Sequence, residues 1–235
     1  MTMIAISEIF GPTVQGEGPN TGKRCSFVRF ARCNLSCSWC DTPYTWDWKG
    51  KNGKVYDPAL EVIKLQAWQI EGIVSEHATD RVVITGGEPT VQMTGLVGLC
   101  QEFYDHGYEI EIETNGTHAP SPNLDHLEIA WNVSPKLGHA GDPYHLRINV
   151  PALKALQERG ANFKFVCASQ EDLDEVQLLV DLIGADMGHV WIMPEGKTQD
   201  DVETHLQLLA EAAIARGWNL TTRLHVNIWG DRRGV

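Results

Sequence analysis

A chain of 235 residues with 43% hydrophobic and 21% charged side chains has the ordinary make-up of a soluble globular protein, long enough for one large α/β domain. A formal net charge of −12 repels a phosphate backbone at long range and argues against a dedicated nucleic-acid binder. No run of 18 or more apolar residues occurs, so no membrane span is expected; the start, "MTMIAISEIFGPTVQGEGP", lacks a signal peptide's regions, and a reducing, cytoplasmic setting is expected.

In chain order, residues 4–10 (IAISEIF) read as a strand stopping at Gly11-Pro12, and 25–31 (CSFVRFA) as a strand leading into a cysteine-rich loop. Leu60, Ile63, Ala67, Ile70 and Val74 then recur at spacings of three and four, which predicts one helix face. Strands follow at 81–85 (RVVIT), 108–114 (YEIEIET), 129–134 (IAWNVS) and 162–166 (NFKFV). Leu173, Val176, Val180 and Ile183 mark a second helix face, and Val202, Leu206, Leu209 and Ala213 a third, with a strand at 189–193 (HVWIM) between them. Residues 220–228 (LTTRLHVNI) read as a last strand. Asp172 and Asp200 sit near helix starts, where short acidic side chains cap free N–H groups, and Gly160 and Gly217 follow helix ends.

Alternation of strand and helix predicts right-handed βαβ units and a mostly parallel sheet in a single α/β domain over residues 1–235. Residues 43–56 and 134–148 break the rhythm as long irregular connections, which in compact domains often carry function. Ligands gather at the carboxyl ends of parallel strands. The cysteine loop, "TGGEP", "TNGT", "SPK" and "MPEG" each follow a predicted strand, so one shared site is expected.

Cys33, Cys37 and Cys40 in "CNLSCSWCDT" have the spacing Cys-x3-Cys-x2-Cys. A disulfide would leave an odd thiol and needs an oxidising compartment. Structural zinc prefers four closed ligands, commonly in two separated pairs, and no second pair lies near. Thiolates suit iron–sulfur clusters, and three of them leave one iron of a 4Fe–4S cube open. Cys25, Cys100 and Cys167 sit in apolar stretches and read as core. Around the cysteine loop Lys23, Arg24, Arg29, Arg32, Lys49, Lys51 and Lys54 face only Asp41 and Asp47, a basic segment in an acidic chain that suits either a solvated face or a small anion.

The cysteine spacing, with Trp39 before the last cysteine and "TGGEP" at 85–89, resembles the radical S-adenosylmethionine (SAM) superfamily. That resemblance implies a partial (β/α)6 barrel with a 4Fe–4S cluster on Cys33, Cys37 and Cys40. The open iron would chelate SAM, whose reductive cleavage gives a 5′-deoxyadenosyl radical. "PTVQGEGPNTGKRCSFVRFARCNLSC", "CDTPYTWD", "ETNGT", "VSPK" and "LHVNIWGDRRGV" further resemble the 7-carboxy-7-deazaguanine synthases, over nearly the whole chain.

This narrower resemblance implies a Mg2+-dependent ring contraction of 6-carboxy-5,6,7,8-tetrahydropterin to 7-carboxy-7-deazaguanine with release of ammonia, as in queuosine-type biosynthesis. It implies substrate contacts from Val14, Gln15, Gly16, Glu17, Arg29 and Thr85. Arg29 would pair the substrate carboxylate, and Thr42 would hold Mg2+. SAM contacts are implied for Gly87, Glu88, Ser134, Pro135, Lys136 and Met193, Pro194, Glu195 and Gly196, and a proton-transfer role for His225. A one-electron donor such as flavodoxin or ferredoxin and a homodimer are implied too. Some family members end close to the substrate; here ten residues follow His225, and Val235 is not assigned to the site. The competing readings are another radical SAM enzyme, such as an activase that places a radical on a partner protein, and a zinc-binding interaction module.

Overall fold

The computed structural model of the protein describes residues 2–235. Its strands are β1 (Ile4–Val14), β2 (Arg24–Phe30), β3 (Ile63–Leu65), β4 (Arg81–Gly86), β5 (Glu109–Thr114), β6 (Ile129–Val133), β7 (Asn162–Cys167), β8 (Val190–Pro194) and β9 (Asn219–Leu220). They form one sheet in the order β3-β1-β2-β4-β5-β6-β7-β8-β9. Neighbours from β2 to β9 are parallel, while β1 is antiparallel to both β2 and β3. The helices are α1 (Pro58–Glu61), α2 (Ala67–Ser75), α3 (Met93–Asp105), α4 (Tyr144–Arg147), α5 (Val150–Gln157), α6 (Gln170–Ile183), α7 (Gln199–Ala215) and α8 (Leu224–Trp229). Among the described residues, no helix is long and apolar enough to cross a membrane.

Strand side chains alternate between two different environments, as the two-residue period of a strand requires. Val28, Phe30, Val82, Ile84, Ile110, Ile112, Val133, Phe163, Phe165 and Ile192 point outward into one core with Leu96, Leu99, Phe103, Leu156, Val176 and Leu209 of the helices. Burying each such side chain contributes about 1.5–3 kcal/mol. The alternate positions form the inner wall: Arg29, Thr85, Glu111, Glu113, Asn132, Lys164 and Met193. The lower part of that wall is apolar, with Phe10, Cys25, Phe27 and Val83 packed together. Cys25, Cys100 and Cys167 are buried free thiols, as expected of core residues. The longer helices start on reciprocal caps: Ser169 with Asp172 for α6, and Thr198 with Asp201 for α7.

Three segments differ from the sequence expectation. The strand beginning at Ile4 does not stop at Gly11-Pro12 but continues to Val14, absorbing two register shifts against β2. The apolar series from Leu60 to Val74 is not one helix. Pro58 and the Asp57 cap start a single turn, after which Ile63–Leu65 pair with Ile4–Ile6, and only Ala67–Ser75 is helical. Edge pairing with β1 overrides the local period, and Leu60 and Ile63 are left exposed. The last expected strand holds only at Asn219–Leu220; Leu224–Trp229 is a helix, so His225 lies in a first helical turn. The chain leaves the sheet there because Leu224 N–H donates to the Gly16 carbonyl and the Arg223 side chain is tied to three other loops.

Candidate active site

The cysteine loop begins where β2 ends and is fixed by the start of the "GGEP" turn. Gly87 N–H donates to the Phe30 carbonyl and Glu88 N–H to that of Arg32. A Cβ on Gly87 would lie 2.0 Å from the Arg32 carbonyl oxygen, so only glycine allows this approach. Cys33, Cys37 and Cys40 are all free and all border one cavity. Burial pushes the Cys33 thiol up to about 12 and Cys37 to about 11. Trp46 Nε1 donates to Cys40 Sγ (3.3 Å) and Leu35 N–H to Cys33 Sγ (3.4 Å), which favours sulfur carrying negative charge. The 43–56 segment braces the loop from outside: Asn52 Nδ2 donates to the Cys37 carbonyl, and Asp47 accepts from the Lys51 and Asn52 amides.

The other strand ends complete the same cavity. Glu88 is fully buried: Oε1 accepts from Thr90 N–H and Oγ1 and from Thr114 Oγ1 (2.7 Å), and Oε2 from Asn115 N–H (2.6 Å). Lys136 Nζ donates to Ser134 Oγ (2.8 Å) and lies 5.4 Å from the centre of the Trp39 ring. Gly87, Glu88, Ser134, Lys136, Met193, Glu195 and Gly196 line the cavity; Pro135 and Pro194 do not. Thr42 lines it too, its hydroxyl 3.8 Å from Cys40 Sγ.

Opposite the thiols stands a charged wall. Val14, Gln15, Gly16, Glu17, Arg29, Thr85 and His225 all reach it. Glu17 is paired to Lys164 through one oxygen and to Arg223 Nε through the other (2.9 Å). Burial alone would raise the Glu17 carboxyl, but the two cations hold it well below the usual range. Arg223 also donates to the Gly196 carbonyl (2.5 Å) and pairs with Asp41, joining the β1–β2 turn, the cysteine loop and the loop after β8. Gln15 donates to Glu111 and to Glu113 (3.3 Å), and Thr85 Oγ1 donates to Glu113 (2.6 Å). Burial raises the Glu111 carboxyl, and Glu113 raises it further. Arg29 gives its Nε to Glu8 (2.6 Å); among the described residues, its terminal nitrogens have no hydrogen-bond partner. His225 packs over Gly16, where a Cβ would lie 2.0 Å from its Nδ1. Burial lowers the His225 pKa, so the imidazole is neutral near pH 7.

Val235, not expected here, lines the cavity as well. Gly230, at a positive φ of 65°, ends α8, and Arg233 anchors the returning tail to Glu8 and Glu61. Sequence reading also missed Glu113, Lys164, Arg223, Asp41 and Asn115. "EIEIE" and "FKFV" carried a signal for the strand residues: in strands covered by helices outside, alternate polar positions must face inward. Arg223 had no such signal.

The residues fit a 4Fe–4S cube better than a lone ion. Among the described residues, no three His, Cys, Asp or Glu side chains gather where one ion would sit. The thiols instead rim a cavity with room beside them, and the polar loop ends facing them suit a ligand with amine, carboxylate and ribose groups.

The sequence profile of the radical SAM superfamily matches residues 27–209. The chain is 35% identical to a 7-carboxy-7-deazaguanine synthase of Pyrobaculum aerophilum, over 98% of this chain and 97% of that one. It is 30% identical to the Escherichia coli enzyme of the same name, over 94% and 96%. The crystal structure of QueE from Escherichia coli superposes with a TM-score of 0.73 at 26% identity, covering 95% of each chain. With its cysteine loop, its parallel sheet and its relatives along the full length, the chain belongs to the radical SAM superfamily and, within it, to the 7-carboxy-7-deazaguanine synthases.

Proposed function

We propose that the chain converts 6-carboxy-5,6,7,8-tetrahydropterin to 7-carboxy-7-deazaguanine and ammonia, with Mg2+ as a further cofactor. The observation that carries this reading is one cavity lined by three free thiols and by Arg29, whose Nε is held by Glu8. Cys33, Cys37 and Cys40 would hold the cluster, and Gly87, Glu88, Ser134, Lys136 and the Met193–Gly196 loop would seat SAM. Bound there, cluster and SAM supply the radical that starts the reaction.

The chain's own groups do the rest. The terminal nitrogens of Arg29 pair the substrate carboxylate as a planar fork. Gln15, Glu17, Glu113 and Thr85 present acceptors and a hydroxyl to the donor-rich pterin edge, fixing its orientation. The Thr42 hydroxyl, which lines the cavity, would serve as a hard oxygen ligand for Mg2+. Neutral His225, held over Gly16, can accept the proton that must leave after the radical step. The reading also brings a cytoplasmic setting, a one-electron donor such as flavodoxin or ferredoxin, and a homodimer.

The test is an anaerobic assay of the reconstituted chain with the carboxylated tetrahydropterin, SAM, Mg2+ and a reductant. Expected is 7-carboxy-7-deazaguanine in many-fold excess over a control without SAM. Product at the control level, from protein with full iron content, would falsify the substrate assignment. Thr42→Ala is expected to raise the Mg2+ needed for half-maximal rate about tenfold, the loss of one oxygen ligand.

A further inference from the structure

Arg29 does not stand alone. Its Nε is held by Glu8 Oε1 (2.6 Å), the same oxygen that accepts from Tyr44 Oη (2.6 Å). Glu8 Oε2 accepts from Arg233 Nε (2.8 Å), whose Nη1 also reaches Glu61 (2.8 Å). The Arg233 guanidinium lies 3.7 Å from the centre of the Tyr44 ring, a cation–π stack. Val235 lines the cavity beyond it. Glu8 is thus a hub: burial would raise its carboxyl, yet Arg29, Tyr44 and Arg233 bring it below the usual range.

We infer that Arg233 and Glu8 are positioning residues for carboxylate recognition, the returning tail acting on the substrate through Arg29. The inference rests on the proposed substrate. A carboxylate fixed by three donors, one of them Nε of Arg29, fixes the plane of that guanidinium and turns its terminal nitrogens toward the cavity. Without Arg233, one oxygen of Glu8 is released and the carboxylate can rotate. Arg29 then loses its preset direction, and binding must supply that ordering.

The experiment compares two probes on the anaerobically reconstituted, SAM-loaded chain: 6-carboxy-5,6,7,8-tetrahydropterin and tetrahydropterin without the carboxylate. Arg233→Ala should raise Kd for the carboxylated probe about fivefold, as befits a half-exposed pair. Glu8→Gln should raise it about 30-fold, because Arg29 loses its partly buried counter-charge. Kd for the decarboxylated probe should stay within about twofold in both, which a loss of general structure would not spare. Arg233→Lys should recover part of the affinity. In an Arg29→Ala background, Arg233→Ala should have no further effect. Equal weakening of both probes, or an undiminished Arg233→Ala effect without Arg29, overturns the relay and leaves the substrate reading intact. A wild-type chain that fails to prefer the carboxylated probe overturns the substrate reading, and the relay with it.

Discussion

On the thiol side of the cavity, Cys33, Cys37 and Cys40 come from one short loop, held by backbone bonds to Gly87 and Glu88 and by the adjoining 43–56 segment. On the charged side, Glu17 meets Arg223 from 206 positions away, and Lys164 from 147. The first wall takes its three thiols from one stretch of sequence, though Ser36 is also tied to Asp142, Ser38 to Ala140 and Asp41 to Arg223. The second exists only after β1 and β9, opposite flanks of the parallel strands, come within reach and the Glu17–Arg223 pair joins them. The latch should therefore tolerate loss of the cluster, whereas loss of the latch reaches the cluster side through Asp41, which adjoins Cys40.

The largest effect should come from the cysteines. Cys37→Ala is expected to leave far-UV circular dichroism and the unfolding midpoint of the apo-chain nearly unchanged. Reconstituted iron should fall from about four per chain to below about one, and turnover at least about 10³-fold. A variant that keeps its iron and colour would put the cluster elsewhere. Arg223→Ala should do the reverse. It strips Glu17 of one of its two cations and leaves Asp41 and the Gly196 carbonyl without theirs. Breaking a buried pair costs about 3–5 kcal/mol, and the partly exposed Asp41 places this case near about 3. Urea unfolding should show that loss, with only a smaller fall in iron content, felt through Asp41 beside Cys40. If iron falls in step with stability, the two walls are not independent.

Gly16→Ala probes the seam at one point. The new methyl would fall 2.0 Å from His225 Nδ1, among backbone tied to Leu224, so the imidazole or the start of α8 must shift. Overpacking of this kind costs about 1–3 kcal/mol. SAM binding at the opposite wall should be unaffected, while affinity for the carboxylated tetrahydropterin falls. Equal loss of both would mean that the seam supports the whole cavity.

The same contrast explains what could be read from the sequence. The cysteine spacing, "TGGEP" and the strand-ending turns are local signals, and the sheet they predict is present with its motifs on one rim. Glu111, Glu113 and Lys164 were half legible. Their alternation with Ile and Phe demands two buried faces, but which polar side chain meets which depends on register across three strands. Arg223, Arg233 and the helix bearing His225 were not legible. "LTTRLHVNI" has a strand's composition, and the pull of Glu17, Asp41 and Gly196 on Arg223, with the Leu224 N–H bond to Gly16, turns the chain away from the sheet. Leu60 and Ile63 failed for the mirror reason, since pairing with β1 outweighed a helical period.

The smallest expected effect is a pH dependence confined to the latch. His225 is half-buried, and that burial lowers its pKa below 6.5; Arg223 and Lys164 add to the lowering, while Glu17 and Asp41 oppose it. A depressed folded-state pKa means that the unfolded chain binds more protons over the interval between the two values. His225 therefore contributes its full share of stability above about pH 6.5, and that share is lost as pH falls through the folded-state pKa. Part of the shift is offset by Glu17, so the change should be small. Urea unfolding of the apo-chain from about pH 7.5 to 5.5 should show stability declining in wild type and a flatter profile in His225→Gln. Glu17, Asp41 and Glu8 are held below their usual range and remain ionised throughout, and the raised carboxyl of Glu111 is common to both proteins, so its titration cancels in the comparison. Two parallel profiles would mean that the imidazole is as free to protonate in the folded chain as in the unfolded one. Its neutral form, and with it the proton-accepting role, would then lose its physical basis.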